Sequence, residues 1–380
     1  MNVPYLIRRI MHRLRGRVVH LKPIGASRGN VLISYTTLPY LDRRSIVLAA
    51  HTNRWECMQM ARTFLERGYA VDVIDTTDRA FVPSKEYTYF IDADANMDRL
   101  APLLNKDCVK IFYITHAHWK YQNEAEQKRV RAIQEKRGVD VEGVRTLSAS
   151  HTIELCDIAV TFAGDFCVST YEYAGKKIVR IPCSTTHEFP PPEKKDFEKF
   201  RRNFIWVGGA GPALKRLDVI LEAFAAMPEY RLAVCGKVKP SDPFAKAYAK
   251  ELYGTENIKT YGWVDHAGKL FKKLYSESLG IIFVSASEGC AGSVVVSMHA
   301  GLIPIVSRET GVVTHDFGIT LHEVSVDTIK SAVRSLSQEP AEFLRTRSMN
   351  TWRYAREHYM REKFAEGFRA FVEKLERKKL

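Results

Sequence analysis

The stretch that decides the fold is Leu279–Glu309, LGIIFVSASEGCAGSVVVSMHAGLIPIVSRE. It opens on Ile281-Ile282-Phe283-Val284, a β-branched run of the kind that forms a strand buried on both faces. Small residues follow: Ser285, Ser287, Gly289, Ala291, Gly292 and Ser293, with Glu288 among them. Val294–Ala300 then reads as a helix, Gly301 stops it, and Leu302–Val306 reads as the next strand. The whole is one βαβ unit. Its turn places backbone N–H groups of Gly289, Cys290, Ala291, Gly292 and Ser293 at a helix start, where they and the helix dipole favour a phosphate. Glu288 suits a sugar hydroxyl instead.

The pattern repeats outward in both directions. Apolar runs at 31–35, 45–50, 71–74, 88–91, 109–114, 157–162 and 178–181 read as strands, and helical periodicities fall between them. Pro190-Pro191-Pro192 cannot lie inside a helix and stiffens the chain, marking a linker. A second series begins at Phe204–Val207. Alternation of this kind predicts two doubly wound α/β domains, Rossmann-like, with parallel sheets. The expected bounds are a basic arm at 1–22, a first domain at 23–190, a second at 191–355, and a final helix from about 356 to 380. The 380 residues fit two domains at ~150 each.

The seven cysteines form no C-x-x-C pair and no zinc spacing, which points to a reducing, cytoplasmic setting. No apolar run is long enough to span a bilayer. Net charge is +13. Part of the excess is local: Met1–Lys22 carries six cations and no acid, with Leu6, Ile7, Ile10, Met11 and Leu14 at helical spacing. Such a segment is compatible with lying on an anionic membrane surface. Nothing interleaves aromatic and basic residues as an RNA module does, so a nucleic-acid partner is not expected.

Candidate site residues fall at the carboxyl ends of predicted strands, where doubly wound folds take ligands. In the first domain these are His51 and Asn53, then His116 and His118, whose neutral imidazoles can exchange hydrogen bonds with sugar hydroxyls. Asp92-x-Asp94 has the form of a metal pair but is three residues long, and no metal is expected. In the second domain Gly208, Gly209 and Gly211 form a turn, and Lys215 and Arg216 start the helix after it. The G-x-G-x-x-G fingerprint is incomplete and no P-loop Lys is present. Gly236-Lys237 and Gly262-Trp263-Val264 end the next two strands.

Glu288-Gly289, the glycine-rich turn, Gly301 and Pro304 resemble the donor segment of retaining nucleotide-sugar glycosyltransferases of family 4, which have the two-Rossmann GT-B fold. The resemblance covers about Phe204–Leu321 well and the first half loosely, and the fold it implies sends the final helix, about 356–380, back across to the first domain. It departs at position 296, where Val296 replaces the family's second Glu, and at Gly209, which stands where an Arg is usual. The resemblance implies that Lys215, with Arg216 as the second cation, holds a donor diphosphate. It implies that Glu288 holds the donor sugar, that Gly236, Lys237 and Val264 lie near the base, and that His116, or else His118, faces the transferred sugar. His51 and Asn53 would lie on the acceptor side.

The expected activity is transfer from a nucleotide sugar to a glycan or lipid-linked acceptor, retaining and without metal or other cofactor. The family habit and the basic arm point to surface polysaccharide or lipopolysaccharide synthesis at the inner face of the plasma membrane. A nucleotide-sugar 2-epimerase on the same fold, or a non-catalytic binding protein, are the alternatives.

Overall fold

The structure is a computed structural model that describes residues 18–42 and 51–377. The amphipathic repeat at 6–14 and the strand expected at 45–50 lie outside those residues.

Two sheets carry the fold. The first contains β1 (Val19–Leu21), β2 (Asn30–Tyr35), β3 (Ala70–Asp75), β4 (Tyr89–Asp92), β5 (Val109–Ile114), β6 (Ile158–Thr161) and β7 (Ile178–Arg180), in spatial order β1-β3-β2-β4-β5-β6-β7. All neighbours are parallel except β1, which pairs antiparallel with β3 through Val19–Val73. The second contains β8 (Asn203–Gly208), β9 (Arg231–Gly236), β10 (Ile258–Gly262), β11 (Gly280–Phe283), β12 (Ile303–Ser307) and β13 (Ile319–Leu321), in order β10-β9-β8-β11-β12-β13, all parallel.

These orders have a functional consequence. The chain winds one way and then the other, so crossovers diverge between β2 and β4 in the first sheet and between β8 and β11 in the second. Loops leave a crevice at such switch points, and ligands bind there. The stretch that opened the sequence reading supplies β11, the turn after it, the helix Gly292–Met298 and β12. All four residues of β11 are buried, as a β-branched run covered on both faces requires.

Three sequence expectations are corrected. The end of the basic arm is not helical: residues 19–21 are an edge strand, held to β3 and by His20 Nδ1 to Asp72 Oδ1 at 2.7 Å. Lys215 and Arg216 precede their helix, which runs Leu217–Ala225; Arg216 is its cap, in the left-handed region at φ 50°. The final helix, expected from about 356, begins at Arg361 and runs to Glu376, after a break at Tyr359–Met360 that ends helix Ala341–His358.

That break turns the chain back. Helix Arg361–Glu376 lies against helix Thr52–Glu66 and buries Phe364, Phe368, Phe371 and Val372 in the first lobe's core. Phe368 meets Phe64 edge-on at 6.1 Å, Phe364 meets Trp55 at 5.8 Å, and Arg67 pairs with Glu376.

Candidate functional site

Gly208 and Gly236 pair at the ends of β8 and β9. A Cβ on either would run into the Trp206 ring, which itself stacks on Phe283 at 6.3 Å. Two glycines are therefore the condition for this floor. Gly209 is exposed, and Lys237 points to solvent at the end of β9. Gly211, at φ +81°, turns the chain so that Lys215 comes under the β11 turn.

There Lys215 Nζ meets Glu288 Oε1 at 2.5 Å, and Ser285 Oγ donates to the same oxygen at 3.2 Å. Both charged side chains are nearly buried, at 8% and 14% exposure. Burial pushes the Glu288 carboxyl up, but Lys215 and then Arg145 outweigh it and hold its pKa below the ordinary value. The carboxylate is thus charged at neutral pH, with its cation in place.

The turn is only partly open. Glu288 N and Ala291 N donate to Glu309 O and Thr310 O at 3.0 and 2.9 Å, so the expectation that the N–H of Ala291 serves a phosphate does not stand. Gly289 is buried against the first lobe: a Cβ there would strike Thr115 O and crowd His116 N. Its carbonyl accepts from Gly164 N at 3.0 Å, and Gly311 at φ +69° leaves no room for a side chain beside either. Three glycines let the two backbones touch. Gly292 is exposed and Ser293 and Cys290 are half-buried. Val296 is fully buried in its helix, so an apolar side chain stands where the resemblance would place a second Glu.

Arg216 is spoken for. Its guanidinium donates to Val284 O at 3.4 Å beneath the strand end, and it feels Glu309 more than any group in the cleft. Val264 is half-buried against the second core beside the exposed Trp263.

Across the cleft, β5 delivers His116 beside Gly289. Its Nδ1 lies 2.9 Å from Ala117 O. A carbonyl can only accept, so Nδ1 carries the proton and Nε2 is an acceptor. Burial lowers its pKa, against the pull of Asp94, keeping the ring neutral at pH 7. His118 is used structurally instead. Its Nδ1 caps helix Trp119–Arg137 at Lys120 N (3.4 Å), and its Nε2 meets Tyr173 Oη at 3.0 Å, whose own proton goes to Glu154. His51 caps helix Thr52–Glu66 by accepting from Asn53 N at 3.2 Å. It also feels the charges of Arg145 and Glu288, so it lies at the cleft; Asn53 Oδ1 is buried with no partner. Of the acidic pair, Asp92 accepts from Met97 N at 2.6 Å and is pushed up to about 6 by burial. Asp94 is drawn to His116 instead. Among the described residues no three His, Cys, Asp or Glu are grouped to take a metal.

Two residues escaped the sequence reading. Asp94 was weighed only as a metal ligand. Arg145 lay in an irregular stretch without periodicity, and its anchoring by Gln122 and Glu126 is visible only in the structure. Glu126, buried in helix Trp119–Arg137, accepts from Val144 N and Arg145 N at 2.9 and 3.3 Å. A buried acid on an otherwise charged helix was the available signal.

Residues 201–339 match the family model described as "Glycosyl transferases group 1". No curated protein matches the chain in sequence. Among solved structures it is similar to sucrose-phosphate synthase from Thermosynechococcus elongatus, at 13% identity and TM-score 0.63, covering 91% of this chain and 98% of that one. It is similar to WaaG, a glycosyltransferase involved in lipopolysaccharide biosynthesis, at 14% identity and TM-score 0.53, covering 89% and 98%. Anabaena HepE in complex with UDP and glucose gives 11% identity and TM-score 0.57, over 92% and 100%. Against the crystal structure of TarM, at 13% identity and TM-score 0.53, the matched part spans 73% of this chain and 53% of the TarM chain, about half its length. At such identities the likeness carries the fold. No helix among the described residues is long and apolar enough to cross a membrane. Residues 201–339, which match the glycosyl transferases group 1 model, thus make up the second lobe of a two-lobed chain with the GT-B fold.

Proposed function

We propose that the protein transfers a glycosyl group from a nucleotide-sugar donor to a glycan or lipid-linked acceptor, without a metal. The observation that carries this reading is the Lys215–Glu288 pair. It is a buried cation and a buried carboxylate on the two loops that leave the switch point of the second sheet, with His116 opposite. An ammonium in that place opposes the charge that grows on a diphosphate leaving group, and a low-dielectric setting strengthens it. Glu288, ionised, accepts from donor sugar hydroxyls. His116 presents Nε2 as an acceptor to the transferred sugar or the incoming hydroxyl. No side chain is given the part of a nucleophile, in keeping with a retaining transfer. Acceptors come from the first lobe, past His51 and Asn53.

The likeness to WaaG, a glycosyltransferase involved in lipopolysaccharide biosynthesis, is what supports a surface polysaccharide or lipopolysaccharide role. The basic residues of Met1–Lys22 favour work at the cytoplasmic face of an anionic membrane. The test is a thermal-shift screen of the full chain against nucleoside diphosphates and sugar nucleotides, UDP forms first, since a ligand of the native state raises stability by mass action. A stabilising nucleoside diphosphate whose effect disappears in Lys215→Ala supports the reading. Equal stabilisation of both proteins, or of neither, overturns it.

A further inference from the structure

Arg145 belongs to residues 139–151, which form neither helix nor strand, yet this segment is tightly anchored. Three side chains of helix Trp119–Arg137 hold it. Glu126 takes two of its N–H groups. Gln122 Nε2 donates to Arg145 O at 2.6 Å, and Asn123 bonds both ways to Leu147, at 2.8 and 2.9 Å. Glu126 and Gln122 are buried, so these bonds form out of competition with water. A loop fixed in this way positions a side chain as a strand end would.

The side chain it positions lies across the cleft, over the first turn of the second lobe. A Cβ on Gly211 would run into Arg145 Cγ and crowd Cδ. The Nε of Arg145 is buried and has no hydrogen-bond partner, and the guanidinium makes no ion pair within 4 Å among the described residues. Leaving a buried charged donor unmet is costly, and such a group calls for a functional explanation. Its charge is felt at Glu288, His51 and His116, and also at Glu126, where Lys215 is felt too. Arg145 therefore lies against Gly211, in the turn that leads to Lys215, while Arg216 is turned aside to Val284.

We infer that Arg145 is a donor-binding residue contributed by the first lobe, whose guanidinium grips the diphosphate from the side opposite Lys215. The inference rests on the proposed donor site and adds to it a second cation. One ammonium meets a diphosphate as a point charge, whereas a guanidinium fork matches two phosphate oxygens at once. A ligand held by both lobes favours the closed arrangement, because only that arrangement makes both contacts.

The test is calorimetric titration of the full chain with the nucleoside diphosphate that stabilises it most, and with the matching monophosphate. Arg145→Ala weakens the diphosphate about tenfold to a hundredfold and the monophosphate less than about threefold, as loss of a charged hydrogen bond to the outer phosphate predicts. Arg145→Lys, which keeps the charge, falls between wild type and alanine. If Arg145→Ala binds the diphosphate like wild type while Lys215→Ala does not, the inference falls and the proposed donor site stands. Equal losses for both nucleotides also overturn it. If wild type binds no nucleotide, both readings fall together.

Discussion

Each lobe buries a glutamate near its switch point, and the two are opposites. Glu56 in the first lobe is fully buried among hydroxyls: Ser184 Oγ donates at 2.6 Å, Tyr113 Oη at 3.1 Å and Tyr35 Oη at 3.4 Å. Burial dominates and pushes its pKa up. Glu288 in the second lobe has Lys215 beside it, and its pKa goes down. Hydroxyl donors satisfy a carboxyl's hydrogen bonds but supply no net charge, so they do not offset desolvation. The difference shows which acid joins strands and which one serves as a charge.

Breaking the charged pair has the largest expected effect. Lys215→Ala leaves Glu288 buried without its ion-pair partner, so denaturant unfolding should show a loss of about 3 kcal/mol, with transfer activity gone. Replacing both, Lys215→Met with Glu288→Leu, should restore most of the stability and none of the activity. Stability that stays low in the double variant would show that the pair is not the cause.

The glycine contact between lobes comes next. Gly289→Val sets a branched side chain against Thr115 O and should cut kcat about a hundredfold by holding the lobes apart, as a misplacement of ~1 Å can. Small-angle scattering should report a larger radius for this variant, with its melting temperature little changed. An unchanged radius with full activity would show that closure does not depend on this contact.

The two acids should also differ in their response to pH. A raised folded pKa gives Glu56 a stabilising contribution that is present below its unfolded value of 4.5 and lost as pH rises through the folded value. Glu56→Gln should therefore cost about 1 kcal/mol at pH 4 and less at pH 8. For Glu288 the sign reverses: its contribution is present above 4.5 and lost as pH falls through the depressed folded value. Glu288→Gln should cost most at neutral pH, measured by melts across the same range. The same pH trend in both variants would erase the contrast.

How much of this was legible in the sequence depends on the lobe. The second lobe's ligand loops are short and sit directly on strand ends, so Glu288 and Gly289 could be named from strand, turn and helix spacing, and Lys215 from the family resemblance. The first lobe builds its share through long-range side-chain anchors. Nothing local to Arg145 announces that Gln122, Asn123 and Glu126 fix its position. His118 looked as exposed to function as His116, because both follow β5. The second sits one step further and starts a helix, and helix starts recruit side-chain acceptors. Arg216 looked like a helix residue beside Lys215, but its left-handed backbone turns it away.

The return of helix Arg361–Glu376 also bears on how the protein is made. The first lobe's core includes Phe364, Phe368, Phe371 and Val372, which are translated after the entire second lobe. The half that leaves the ribosome first therefore matures last, and until residue 372 arrives it exposes the apolar flank of helix Thr52–Glu66. A nascent chain halted after Leu336 should carry a finished second sheet beside a first lobe still open to chaperones.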